Sequence, residues 1–160
     1  MQPSLANNRL TALSLALAAG GIGVSAYLTL VHYRDDLLVC AVGGCHTVQK
    51  SPYAELAGVP VALLGLGMFV AMLALGLARY SRPEWNGDLT LATFALALTG
   101  TVFTIYLTYL ELFVIHAVCQ WCVLTALITW ALLLVEGVLV WRSLQPHDDL
   151  EFDDEPESAR

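Results

Sequence analysis

Four nearly uninterrupted apolar stretches dominate this chain, at approximately Leu10–Val31, Val59–Ala78, Leu89–Leu110 and Val118–Trp141. Each is close to the ~20 residues an α-helix needs to cross a hydrocarbon core of about 30 Å. Lipid offers no partner to an open backbone amide, so stretches of this length are read as helices. Composition agrees: 58% of the 160 residues are hydrophobic and 13% charged, whereas roughly a quarter of an average soluble domain is charged. The expected fold is an all-α integral membrane protein, a four-transmembrane-helix bundle. A signal peptide is the rival reading of the first stretch, because Ala16-Leu17-Ala18 resembles a cleavage site. The apolar run continues to Val31, however, so it is read as a retained helix.

The net charge of −7 is concentrated, since seven of the fourteen acids lie between Asp148 and Glu157. Residues 142–160 are therefore expected to form an acidic, disordered cytoplasmic tail, residues 1–9 a cytoplasmic N-terminus, and residues 10–141 the membrane domain. Arg9, Arg79, Arg82 and Arg142 flank the stretches on one side; Arg34 and Lys50 are the only basic residues on the other. The positive-inside rule then puts both termini in the cytoplasm, and the loop His32–Gly58 and the turn near His116 outside. Six glycines in the first two stretches (Gly20, Gly21, Gly23, Gly65, Gly67 and Gly76) predict close helix approach. Glu136, near the cytoplasmic end of the fourth stretch, is expected to snorkel to the interface rather than relay protons.

This orientation collects all four cysteines at the outer, oxidising face. Cys40 and Cys45 flank Ala41-Val42-Gly43-Gly44, whose glycines permit a reversal tight enough for a disulfide. Cys119 and Cys122 form a CxxC around Gln120-Trp121 where the fourth helix begins. Helix-terminal amides there favour a thiolate, which makes Cys119 both a good attacking group and a good leaving group. His116 could add positive charge or transfer a proton; an interfacial polar residue is the alternative. Trp121, Trp130, Phe103, Tyr106 and Tyr109 could line a site for a flat lipid-soluble ring, or form an interfacial aromatic belt. Ser51-Pro52 is an N-cap and N1 signal, predicting a short helix that lies over the bundle with Tyr53 and Leu56 turned inward.

Taken together these residues resemble the vitamin K epoxide reductase family in its bacterial form. The resemblance spans roughly residues 10 to 141. It is carried by the loop cysteine pair, Val48 and Ser51 after it, Ser51-Pro52-Tyr53-Ala54 leading into Gly58-Val59-Pro60, and Cys119-Gln120-Trp121-Cys122. It implies a thiol:quinone oxidoreductase of the bacterial inner membrane that supports disulfide bond formation. Electrons would come from a periplasmic thioredoxin-fold dithiol protein, pass through Cys40 and Cys45 to Cys119 and Cys122, and leave to menaquinone or ubiquinone from the membrane pool. Ser51, Trp121, Tyr106 and Tyr109 are the candidate contacts to the quinone, and His116 the candidate for proton transfer. Position 126 is Ala where the animal enzymes carry a tyrosine near the vitamin, and the second stretch has no Asn at the corresponding depth. Both departures favour quinone over epoxide as substrate.

No metal and no nucleic-acid partner is expected. A different bacterial quinone-reducing disulfide oxidase also has four helices and two cysteine pairs, but its CxxC comes in the first outer loop and here it comes last. A metal-binding or metal-transport protein is the rival of another class, with Cys40, Cys45, His46, His116, Cys119 and Cys122 as soft ligands. Against it, the stretches Leu10–Val31 and Val59–Ala78 contain no Asp, Glu, Lys, Arg or His to continue a pathway.

Overall fold

The computed structural model describes residues 3–41, 43–81 and 85–145, without the side chains of residues 3–6 and 35. Arg82 and the expected disordered tail from residue 146 onward lie outside the described residues. Four long helices are apolar enough to cross a membrane. They are α1 (Pro3–Tyr33), α3 (Val61–Ser81), α4 (Asn86–Leu110) and α5 (Gln120–Leu144), and a short helix α2 (Cys45–Gln49) lies in the loop after α1. The long helices outrun the apolar stretches because hydropathy marks only what sits in lipid. Helix α1, for instance, continues through Asn7, Asn8 and Arg9, whose side chains are exposed. Helix α5 likewise runs past the expected boundary at Trp141 to Leu144.

Helix α1 packs on α3 and α5, and α4 on α5 and α3, which closes a four-membered bundle. Its centre is a small cluster of Ala18, Phe69, Met72, Ala97 and Leu132. The outside is as apolar as the inside: Leu134 is 72% exposed and Val102 62%, as expected of faces that meet lipid. Without a hydrophobic drive between helices in lipid, shape carries the packing. A Cβ on Gly21 would lie 2.5 Å from the Phe69 ring, so α1 and α3 approach only because that residue is glycine. Gly20, Gly23 and Gly67 meet nothing within 4 Å and do not serve close approach, contrary to the expectation from sequence. Buried Thr90, Thr93 and Thr129 close their hydroxyls on their own helix, Thr129 on the Thr125 carbonyl at 2.8 Å.

Glu136 does not snorkel. It is fully buried, accepting hydrogen bonds from Ser14 Oγ and from Arg79 Nη2, both at 2.5 Å. Arg79 also donates to Thr93 Oγ1, and is itself buried rather than lying in the connection after α3. Two charges that look interfacial when their segments are read singly face each other once the helices pack. The pair removes both charges from lipid, which either residue alone could do only by reaching water.

Between α1 and α3 the chain makes a single 3-10 turn at Asp35–Leu37, α2, a second 3-10 turn at Pro52–Ala54, and a two-residue hairpin. The hairpin pairs β1 (Glu55–Leu56) with β2 (Val59–Pro60) through Ala57 and Gly58, both at positive φ, the geometry that matches strand twist in a tight hairpin. His32 Nε2 lies 3.2 Å from Glu55 Oε1 and ties the hairpin to the end of α1. The helix expected from Pro52 is thus one turn long. Its first residue follows Ser51, but the Ser51 hydroxyl donates back to the Val48 carbonyl at 2.8 Å instead of capping. Leu56 is 55% exposed, not turned inward.

Candidate active site

Cys119 is the residue immediately before α5, in extended conformation, and its carbonyl accepts the hydrogen bond of Val123 N. Cys122 therefore lies one helical turn deeper, close enough for the two side chains to hydrogen-bond. Both are free thiols, and Cys119 is fully buried. The Cys119 thiol is lowered from 9.0 to about 7, chiefly by the Cys122 thiol that donates to it. Burial opposes the shift, the backbone amides of Cys122 and Trp121 assist it, and the nearby Glu111 carboxylate works against it. The helix-start amides thus contribute as their position predicts, but second to the partner cysteine.

Cys40 and Cys45 form a disulfide with a Cα–Cα separation of 6.1 Å. Cys45 is fully buried, whereas Cys40 is half-buried. The Gly43-Gly44 main chain lies on the strand-like segment before α5. Gly43 pairs with Cys119, and Gly44 N donates to the Val118 carbonyl at 2.9 Å. Gly43 has φ +99, and a Cβ there would collide with the Val118 carbonyl oxygen. A Cβ on Gly44 would already come 2.7 Å from that of Ala117. The two glycines therefore do more than turn the chain: they let one cysteine pair dock backbone-to-backbone on the other.

Trp121, between the CxxC cysteines, braces the same loop. Its Nε1 donates to the Val39 carbonyl at 2.9 Å, and its ring packs on Tyr27 with centroids 4.8 Å apart. The Tyr27 hydroxyl accepts from Val39 N at 2.9 Å and donates to the Leu37 carbonyl at 3.1 Å. Both polar backbone groups of Val39, next to Cys40, are held this way.

On the other side of the CxxC a cavity of about 130 Å³ opens between the helices beneath the loop. Cys122, Phe103, Leu107, Met68, Thr125 and Ala126 contribute to its largely apolar wall, with Ser51 and Tyr53 from the loop. Helix α4 and the turn after it present Gly100, Phe103, Thr104, Leu107, Thr108, Leu110 and Glu111 to it, largely at helical spacing. Tyr106 and Tyr109 fall on the opposite, exposed face, where Tyr109 packs against Phe113. Neither they nor Trp121 line the cavity, because spacing along the chain does not give a side chain's angle around its helix. His116 ends the segment after α4 in a left-handed conformation, its ring exposed and its Nδ1 3.3 Å from the Val114 carbonyl oxygen.

Glu111 escaped the reading of the sequence. It begins a wider π-type turn, Glu111–Ile115, that continues α4, and only 4% of it is exposed. Its carbonyl accepts from Ala117 N at 3.0 Å and its Oε2 from Cys119 N at 3.4 Å, and its side chain borders the same cavity as Cys122. The available signal was an acid set in the apolar run Tyr109-Leu110-Glu111-Leu112-Phe113-Val114-Ile115, a position that hydrocarbon penalises unless it has a use.

No group of three or more His, Cys, Asp or Glu side chains that could hold a metal occurs among the described residues. Among known protein families, residues 12–136 match the family model described as the vitamin K epoxide reductase family, a match that includes all four cysteines, Ser51 and Glu111.

Proposed function

The chain belongs to the vitamin K epoxide reductase family, as a multi-pass membrane oxidoreductase of thiols and disulfides, and from that premise we propose that it re-oxidises a periplasmic thioredoxin-fold dithiol protein at the expense of a membrane quinone. One observation carries the reading: the Gly43-Gly44 main chain docks the outer pair on Cys119 while Cys122 opens onto an apolar cavity. Such an arrangement offers an entry for electrons at one sulfur and an exit at another.

Cys40, the more accessible sulfur of the loop disulfide, is the one a partner thiolate attacks, releasing Cys45 as the leaving thiolate. A second partner thiolate then resolves the mixed disulfide, leaving the partner oxidised and the loop pair reduced. Cys45, buried on the bundle side, attacks the Cys119–Cys122 disulfide at Cys119, and Cys40 closes the loop disulfide again. The inner pair is then the dithiol, the state present in this structure. A quinone, when bound, supplies an acceptor for two electrons and two protons. The cavity suits such a group: Phe103, Leu107 and Met68 give flat and flexible apolar contact, and Ser51 and Thr125 are among the residues of its wall. The protein's part is to hold the ring beside Cys122 and keep bulk water away.

The cysteines would face the outside, with Arg9 and Arg142 at the cytoplasmic ends of α1 and α5. The metal-binding alternative loses two of its soft ligands to the Cys40–Cys45 disulfide. The test is turnover in detergent with a reduced thioredoxin-fold protein. Oxidation of that protein should require added quinone and vanish in Cys119→Ala and Cys122→Ala. Cys40→Ala or Cys45→Ala should lose turnover with the protein partner but keep it with a small dithiol that reaches the inner pair. Quinone-independent behaviour with stoichiometric tight metal would sink the proposal.

A further inference from the structure

Oxidising the inner pair forms one S–S bond and releases two electrons and two protons, and reducing a quinone to the quinol takes up both. The Cys119 proton is already labile near neutral pH, since its thiol is lowered to about 7. The Cys122 proton has no such outlet: this thiol sits a turn inside α5, on an apolar cavity. Among the described residues, Glu111 is the one acidic side chain that lines this cavity beside Cys122. Among the described residues Glu111 enters no salt bridge, unlike the bundle's other buried acid, Glu136. The carboxyl is positioned by Cys119 N, and the π-type turn that starts at Glu111 carries the chain on toward Cys119.

We propose that Glu111 is the proton carrier between Cys122 and the quinone. This rests on the quinone-reducing reading above and deepens it. The Cys122 S–H turns from Cys119 to the Glu111 carboxylate and breaks there, the proton passing to the carboxylate while the electron pair left on sulfur goes to the ring. The Cys119 thiolate closes the disulfide. The Glu111 carboxylic acid then gives its proton to one quinone oxygen and returns to carboxylate. The second quinol proton comes from solvent, replacing the one that Cys119 released there. Other ionisable groups facing this space are few. Helix α5 supplies Cys122, the loop supplies Tyr53, and α1 and α3 bring only Ser25 and apolar residues to the cavity. His116 is exposed and turned to the Val114 carbonyl.

Glu111→Gln separates this from a positioning role, because the amide oxygen can still accept from Cys119 N but the group cannot take up a proton. Two steps are followed in the full-length protein in detergent. One is exchange between the loop pair and the inner pair without quinone, read by alkylation and mass. The other is single-turnover reduction of added quinone by the pre-reduced inner pair across pH. In Glu111→Gln the first should persist, altered only by loss of the carboxylate charge that opposes the Cys119 thiolate. The second should fall on the order of 100- to 10,000-fold, the usual contribution of a general acid–base, and Glu111→Asp should recover part of it. Wild-type quinone reduction by Glu111→Gln overturns the proposal. So does an equal loss of both steps in Glu111→Gln and Glu111→Asp, which marks a structural residue. If the wild-type protein itself reduces no quinone, the quinone-reducing reading fails instead.

Discussion

A thiol at about pKa 7 changes what Cys119 is at neutral pH: about half of it is thiolate, against a few per cent for an ordinary cysteine. Because the value is lowered, the reactive form prevails above pH 7 and falls about tenfold per unit below it. Closure of the inner disulfide by Cys119 should therefore rise with pH and level off near pH 8. The main cause is the Cys122 thiol, so Cys122→Ala should move the Cys119 thiolate transition upward, while Cys122→Ser, which keeps a donor, should hold much of the shift. Thiolate ultraviolet absorbance across pH measures both; an unmoved transition in Cys122→Ala would assign the effect to the helix amides instead. At this scale the four cysteines were readable because order and spacing are properties of a string. Glu111 was not, since only folding brings it to Cys122. Tyr106 and Tyr109 were placed at a plausible depth, yet the side of α4 that they occupy is fixed by packing against α3 and α5. Tyr106→Phe and Tyr109→Phe should accordingly leave the KM for quinone within about twofold, whereas Phe103→Ala, in the cavity wall, should raise it. A large KM change in either tyrosine variant would place the quinone outside this cavity.

Among the elements, the loop between α1 and α3 is the least legible and the most consequential. Helix α2, Cys-His-Thr-Val-Gln, is too short to show a period, and it forms where Gly44 is already pinned to Val118 and Cys45 to Cys40. Tertiary anchoring, not propensity, makes it a helix. The long helices are the opposite case: lipid forces their backbone to close on itself, so hydropathy alone located them. The docking of loop on CxxC depends on Gly43. Gly43→Ala would impose a side chain at φ +99 against the Val118 carbonyl, at a cost on the order of 1–3 kcal/mol. The expected result is slower exchange between the outer and inner pairs, by roughly five- to a hundredfold if that strain falls on the docked state. Reduction of the inner pair by a small dithiol should hardly change. Equal loss in both assays would mean that the substitution disturbs the CxxC itself rather than its contact with the loop.

Across the whole molecule, chemistry and structural charge are segregated to opposite ends of one bundle. The cysteines and Glu111 cluster where α1 ends and α5 begins; Arg79, Glu136 and Ser14 cluster toward the start of α1 and the end of α5. The latter group ties three of the four long helices together, and Thr93 on α4 adds the fourth. A buried ion pair is poor evidence of net stabilisation, yet removing one partner strands the other charge in a low-dielectric interior, at about 3–5 kcal/mol. Arg79→Met alone should therefore lower the unfolding midpoint of the detergent-solubilised protein by several degrees, as should Glu136→Leu alone. The double variant Arg79→Met/Glu136→Leu removes both charges and should recover most of the loss, because neither group is then left unpaired. Quinone-dependent turnover per folded molecule should be the same in all three, since the cavity at Cys122 lies at the other end of the helices. If the double variant is as unstable as the sum of the singles, the two residues act independently. If turnover falls while the fold is intact, the two ends of the bundle are coupled, and Glu136 has a part in the reaction that its burial against Arg79 does not suggest.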